Sequence, residues 1–326
     1  MVNIVHNNAK RAFIGGAVFA ASVIALIGAA SAETFDAKKI SFRDVTGAVE
    51  IVTTSGDEID VEIRQGKKHQ PLEVSEKDGV VVIIGEKWRQ DETRNCCDNR
   101  IRREFHGRKD RKLTTGEPVD QAFFDDYPTI IIAMPVNGDV DFIDAWILLD
   151  MERLNGALLL DSCYVYGQTG DVDEAIVGLI DGSRLVMGDI NAGLEIDISG
   201  DADIMVGDTA MVDVDIAGPG DVIIGDINGM FDVSIAGSGI VRATRLDGPM
   251  TARIAGSGGV AVKSGRADRL RAHIDGSGGV YFGGAVTQPE LRLFGSSEVR
   301  MKSVNGRITH HGGGVVYVGD EVFSDE

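Results

Sequence analysis

Cysteine, proline, aromatic residues and positive charge are all in short supply. Three cysteines cannot build a disulfide scaffold across 326 residues. Cys96 and Cys97 are adjacent and Cys163 is distant, which fits no zinc motif, because neighbouring cysteines cannot easily both face one tetrahedral ion. A bond from Cys163 to one of the adjacent pair and a strained Cys96–Cys97 ring both remain open. With only 7 prolines and an apolar fraction of 43%, the composition is far from that of a disordered chain. Lys and Arg number 32 against 51 Asp and Glu, a net charge of −19. Such a surface will not track a nucleic-acid backbone over its length, although it leaves room for divalent cations or basic partners. Long apolar runs are also few. One spans Ala12 to Ala30; no second run of about 18 apolar residues follows, so no further helix is expected to span a bilayer.

That single run has the marks of an export signal. Lys10 and Arg11 precede it, and Ala30-Ser31-Ala32 supplies the small residues that a signal peptidase needs. Residues 1–32 therefore read as a signal peptide, and no cysteine follows to take a lipid anchor. Removing them leaves 30 basic against 51 acidic residues, a net charge of −21.

What the chain has in excess is glycine, 42 residues, and the glycines recur. "IAGPGDV" begins at Ile216, "IAGSGIV" at Ile235, "IAGSGGV" at Ile254 and "IDGSGGV" at Ile274, with weaker copies at Ile198 and Leu293. These six anchors lie 18, 19, 19, 20 and 19 residues apart. The positions four and two before each anchor, and six and eight after it, are apolar in almost every copy; the positions between are mostly polar. Alternation of this kind marks a half-buried strand. The residue two past the anchor is always glycine, from Gly200 to Gly295. That is what a tight corner between strands asks for. A single unit of this size cannot bury its apolar face, whereas stacked units share a continuous core.

The expected fold is all-β: a parallel β-helix or β-solenoid with rungs of about 18–20 residues, right-handed by the usual sense of parallel connections. Further copies are expected from Ile180 ("IDGSRLV"), Leu160 ("LDSCYVY") and Thr309 ("THHGGGV"), the last at a spacing of 16. The chain then divides into the signal peptide (1–32), an N-terminal β segment that is the first part of the solenoid (33–86), a basic inserted loop (87–126) and the solenoid repeats (127–326).

Little in this pattern is catalytic chemistry. No G-K-[ST] follows the glycines, so they are not a P-loop. The repeat is about twice the calcium-binding nonapeptide, and aspartate does not follow these glycines regularly. No Ser/His/Asp set or nucleophile elbow stands out. The sequence thus assigns no catalytic and no cofactor-binding residue. For a metal, the candidates are Glu195, Asp197, Asp213 and Asp215, stacked carboxylates whose repulsion Ca²⁺ would relieve. The adjacent His310 and His311 point to opposite faces of a strand and fit a C-terminal cap better than a metal site. Outward positions one and three before the anchors run from acidic at Asp197 and Glu195 to mainly basic at Arg253, Arg271, His273 and Arg292. Such a gradient suits self-association. In residues 87–112, ten of 26 are Lys or Arg. With Trp88 and Phe105 as stacking platforms this loop suits an anionic glycan, although intramolecular pairing with the acidic surface is the simpler account.

With these repeats in hand, the chain resembles the GIN-domain family, bacterial exported proteins carrying the label of an auto-transporter adhesin head domain. The repeated "IAGSG" and "IDGSGGV" units and the opening "ISFRDVTGAVEIVTTSGDEIDVEI" behind a signal peptide carry the resemblance, over most of residues 40–320. It implies a secreted or cell-surface β-helical protein with no established catalytic residues. The membrane β-barrel of a self-anchoring adhesin is not expected in residues 33–326. The expected function is a non-catalytic, adhesin-like or scaffolding module in the periplasm, at the cell surface or outside the cell. Its expected partners are a surface glycan or another envelope protein, with no nucleic acid and no membrane span after signal removal. The rival is a carbohydrate-active enzyme, a polysaccharide lyase or hydrolase on the same fold. A tagged chain is expected outside the cytoplasm with a new N-terminus after Ala32. Cell fractionation and N-terminal sequencing check this, and full-length chain in the cytoplasm overturns it.

Overall fold

The computed structural model describes residues 31–67, 71–85, 124–180 and 182–323. All 24 elements over these residues are strands, joined in one continuous hydrogen-bonded system. They stack as a β-solenoid of about 9 turns with rungs near 19 residues. The signal segment up to residue 30 and most of the basic insertion, including Trp88, Cys96, Cys97 and Phe105, lie outside the described residues.

Alternation in sequence becomes alternation in burial. In the strand Phe231–Gly237, Phe231, Val233 and Ile235 point inward, while Asp232 and Ser234 point outward. Parallel pairing carries each of these positions to the next rung. Leu194 pairs with Val212, then Phe231, Met250, Leu270 and Pro289, and the anchors Ile198 to Leu293 line up likewise. After the corner, Val222, Val241, Val260, Val280 and Val299 form a second buried file. Each side chain in these files rests on a neighbour about 4.8 Å above and below. The core is therefore continuous along the axis.

A third inward file completes the cross-section. Thr209, Ile227 and Leu246 pair in succession, and Val286 pairs with Val304 further along. Ile227, Leu246 and Val286 are fully buried. The strand Ile240–Asp247 shows why this file does not follow strict alternation. Two consecutive residues, Thr244 and Arg245, are exposed between buried Ala243 and buried Leu246. The strand bends there, and period two is lost for one step.

The glycine corners serve two geometric needs. Gly256 has φ +129°, a conformation closed to most side chains, and Gly200, Gly218, Gly237, Gly276 and Gly295 share the positive sign. A Cβ on Gly256 would also sit 2.4 Å from the Gly237 carbonyl oxygen of the rung below. That closeness has a purpose. The Gly237 carbonyl accepts hydrogen bonds from the Ser257 and Gly258 amides at 2.9 and 3.0 Å, and the Gly256 carbonyl accepts from Ser277 and Gly278 at 2.9 and 3.1 Å.

The opposite corner uses aspartate. Gly-Asp pairs recur at 170–171, 188–189, 207–208 and 225–226. The Asp189 amide donates to Asp171 Oδ1 at 2.9 Å, the Asp208 amide to Asp189 at 2.8 Å, and the Asp226 amide to Asp208 at 2.7 Å. Aspartate therefore does follow glycine regularly, at this corner rather than at the "IAGSG" corner. Its carboxylates are turned to backbone amides, capping donors that the bend leaves free.

Three expected rung starts shift in register. Leu179, not Ile180, pairs with Ile198, and Leu179 also pairs with Ser162, so the anchor of that rung is Ser162 rather than Leu160. A slip of one residue exchanges the two faces of a strand, and burial decides it: Leu179 is buried, Ile180 only partly. At the C-terminal end Gly312 pairs with Leu293, which restores a spacing of 19 in place of 16. His310 then falls in the inward file beside Leu291 and His311 in the outward file beside Arg292, on opposite faces as expected. Cys163 is buried and disulfide-bonded.

Antiparallel strands close both ends. The segments Lys39–Arg43 and Thr46–Thr54 lie against Asp139–Met151 on one side, and against Val80–Ile84 and Thr129–Pro135 on the other. Phe42 and Phe142 stack across the first of these contacts, with centroids 4.5 Å apart. Glu73–Lys77 and Ile59–Arg64 then add antiparallel, as does Glu321–Phe323 at the far end. Reversal of direction interrupts the parallel ladder and blunts edges that would otherwise recruit further strands. Gly256→Val is expected to lower stability by about 3 kcal/mol or more, from a strained φ together with contact against the Gly237 carbonyl. Chemical denaturation followed by circular dichroism measures it, and an unchanged midpoint overturns the corner's structural role.

Candidate ligand-binding faces

Two outward faces flank the glycine corner. On the strands before the corner, Glu195, Asp213, Asp232, Thr251, Arg271 and Glu290 form one file, and Asp197, Asp215, Ser234, Arg253, His273 and Arg292 form the next. His311 extends the second file by one rung. The predicted change from acidic to basic is therefore realised in space, rung above rung. On the basic half, Arg271 donates to Glu290 at 3.1 Å, and Arg269 pairs with the same carboxylate at 3.4 Å. Among the described residues Arg253 and Arg292 form no hydrogen bond or salt bridge. A shallow groove of about 440 Å³ runs over this half, lined by Arg253, Arg271, His273, Glu290, Arg292 and His311.

The acidic half shows the strain of like charge. The Asp213 carboxyl is held above its ordinary value of 3.8 by partial desolvation among its neighbours first, then by the Asp215 and Asp232 charges, against a weaker opposing pull from Arg253. The proposed calcium ligands are thus neighbours, Glu195 beside Asp213 and Asp197 beside Asp215. Yet among the described residues no group of three or more His, Cys, Asp or Glu is placed to hold a metal ion. The reason lies in the sheet. Side chains on one flat face project in parallel from adjacent rungs, whereas a calcium site needs six to eight oxygens converging on one point.

The face after the corner carries a feature that sequence reasoning missed. Its two outward files run Asp221, Ile240, Gly259, Gly279, Glu298 and Ile223, Arg242, Ala261, Tyr281, Arg300. Gly259, Gly279 and Ala261 leave a patch of bare backbone about two rungs wide. A groove of about 300 Å³ sits on it, walled by Arg242, Tyr281, Glu298 and Arg300. Tyr281 is 48% exposed for so large a side chain. Both arginines are held in place. Arg242 pairs with Asp221 at 3.4 Å, and Arg300 donates to Glu298 and lies 3.8 Å over the Tyr317 ring. In the sequence only an aromatic at Tyr281 marks the place, one rung after Ala261 in the same file, and that alone does not reveal a groove. No helix of the described residues is long and apolar enough to cross a membrane.

No family model and no curated protein matches the chain. Among solved structures it is similar to a protein of Parabacteroides distasonis described as a "putative adhesin". The two are 13% identical over 90% of this chain and 98% of that one, with a TM-score of 0.35. A "putative lipid binding protein" of the same organism is 12% identical over 89% and 97%, at 0.34. A "putative adhesin" of Parabacteroides merdae is 12% identical over 90% and 97%, at 0.28. Likeness at this level carries no argument about function, and the resemblance to the GIN-domain family rests on the repeats themselves.

Asp213 offers a check on the electrostatics. Its folded-state pKa lies above the unfolded value, so ionising it opposes folding at neutral pH, and the penalty fades as pH falls through the folded value. Asp213→Asn is expected to raise the melting temperature at pH 7, with the gain vanishing below the ordinary carboxylate pKa of about 3.9. Thermal scans across pH measure this, and a gain independent of pH overturns the charge explanation.

Proposed function

We propose that this chain is a non-catalytic binding and scaffolding module of the cell envelope or surface, exported by residues 1–32, and that it holds a saccharide in the groove around Tyr281. The observation that carries the proposal is the groove's composition: an exposed aromatic ring over a floor of bare backbone, flanked by Arg242 and Arg300, each fixed by a carboxylate. An aromatic face suits the apolar side of a sugar ring, and fixed polar groups around it suit hydroxyls.

Catalysis finds less support in the same groove. Glycoside hydrolysis uses two carboxyl groups flanking the scissile bond. Glu298 is the one carboxylate in this lining, and it is engaged by Arg300. The fold's regularity suits a scaffold, since every outward file can be varied without disturbing the inward ones.

A glycan array paired with an assay for reducing-sugar release tests the reading. The wild-type protein is expected to retain a subset of glycans without turnover. Tyr281→Ala is expected to weaken that binding about tenfold, equivalent to ~1.4 kcal/mol, at an unchanged melting temperature. Release of reducing ends, or undiminished binding by the variant, overturns the proposal.

A further inference from the structure

The face before the glycine corner carries two charge patterns that mirror each other. Over six rungs its outward files present Glu195 and Asp197, Asp213 and Asp215, Asp232 and Ser234, then Thr251 and Arg253, Arg271 and His273, Glu290 and Arg292. The sign changes between the third and fourth rungs, midway along the run.

A surface of this kind is complementary to itself. Turn a second copy by half a revolution about an axis parallel to the strands at the change of sign, and lay it on the first. Rung order reverses while each file stays opposite itself. Asp215 then faces the partner's His273, Asp213 the partner's Arg271, Asp197 the partner's Arg292, and Ser234 the partner's Arg253. Each contact occurs twice, as a two-fold interface requires. The one like-charged pairing, Glu195 with the partner's Glu290, is moderated because Glu290 is held by Arg269 and Arg271. We propose that two copies of this chain associate antiparallel and face to face through these strands.

A second copy accounts for more than other occupants do. An acidic polysaccharide suits Arg253, Arg292 and the groove between them, but extended along the same files it meets Asp232, Asp215 and Asp213. A divalent cation suits the acidic half but finds no converging ligands. A second copy answers both halves at once. Among the described residues Arg253 and Arg292 form no hydrogen bond or salt bridge, and neither do Asp213, Asp215 and Asp232, so these groups are available for partners outside the chain.

Size sets the strength. Five rung spacings give about 24 Å, and a strand of this length gives about 20 Å, so each copy contributes roughly 500 Å². The total is at the low end for specific interfaces, which makes this a weak and reversible pairing that depends on charge. It uses a different face from the Tyr281 groove and stands or falls separately.

Sedimentation velocity on protein purified from cells expressing the full chain tests the pairing. Dimer is expected at about 20 mM salt, dissociating at about 500 mM as screening shortens the reach of the charges. Two double variants separate the halves. Asp213→Arg with Asp215→Arg sets basic groups against the partner's Arg271 and His273, and Arg271→Asp with His273→Asp sets acidic groups against the partner's Asp213 and Asp215. Each alone is expected to associate about tenfold more weakly or worse, and an equimolar mixture is expected to form the mixed dimer. Circular dichroism confirms that the variants fold, and Arg271→Gln with His273→Gln serves as a milder form should the reversal fail to fold. Wild-type protein that stays monomeric at low salt overturns the proposal, as does a folded mixture that remains monomeric or a variant that dimerises like the wild type. Monomeric protein that instead retains polygalacturonate or heparin through Arg253 and Arg292 overturns it in favour of a polyanion.

Discussion

The structure depends on one contact repeated rung after rung: a corner carbonyl that accepts two amides from the corner above. The Gly237 carbonyl receives Ser257 and Gly258, the Gly256 carbonyl receives Ser277 and Gly278, and the backbones approach too closely for a Cβ at the corner. Hydrogen bonds of this kind fix the relative position of rungs at a point where strands bend and their own ladder is interrupted. Register then follows on both sides. Because the corner cannot slide, the valines after it and the isoleucines before it must stack in files, and so must everything that points outward. The opposite corner achieves the same result with aspartate carboxylates on backbone amides. Two corners pinned by different chemistry leave each rung little freedom to slip.

Much of this was legible in the sequence because a file is a column in an alignment. The inward files at Ile198 to Leu293 and the glycines from Gly200 to Gly295 stood out as soon as the copies were set under one another. What escaped did so for identifiable reasons. The third inward file, with Ile227, Leu246 and Val286, follows a bend that breaks alternation by one step. Ile180 looked like an anchor because it precedes "DGS", yet burial selects Leu179, and only pairing partners reveal the difference. Gly312 carries no anchor signal because a terminal rung sheltering few neighbours need not place an apolar residue there. As to the candidate sites, the charge files were legible and the Tyr281 groove was not. A groove made by glycine and alanine is an absence of side chains, and such an absence looks the same as a turn in the sequence.

The same parallel geometry explains which chemistry the outward faces can perform. Residues on adjacent rungs of one file project side by side and do not converge, so Asp213, its carboxyl raised by partial desolvation first and by the Asp215 and Asp232 charges second, does not close with its neighbours around a cation. Convergent sites need loops that leave the stack or curvature that folds a face on itself. Among the described residues, depth arises in a milder way, where small residues interrupt a file and leave a trough between taller neighbours. Chemistry of this sort recognises extended ligands and flat partners, which is the reading supported by both faces.

Division of labour between inward and outward files also bears on how such a chain can change. An inward substitution disturbs the rungs above and below through the core, whereas an outward one alters a single position on a ruled surface. Charge on the outward files is then free to be written rung by rung. Here the writing is asymmetric: the chain carries a large negative charge overall, yet it gathers Arg253, Arg271 and Arg292 on one half of one face. Scattered among the carboxylates, these arginines would pair locally and stabilise little. Gathered on the other half from the acidic rungs, Arg253 and Arg292 form no hydrogen bond or salt bridge among the described residues, and Arg253 reaches Asp213 only through its field. That arrangement lowers the stability of the isolated molecule slightly and gives it orientation, because only a partner of reversed polarity matches the whole face.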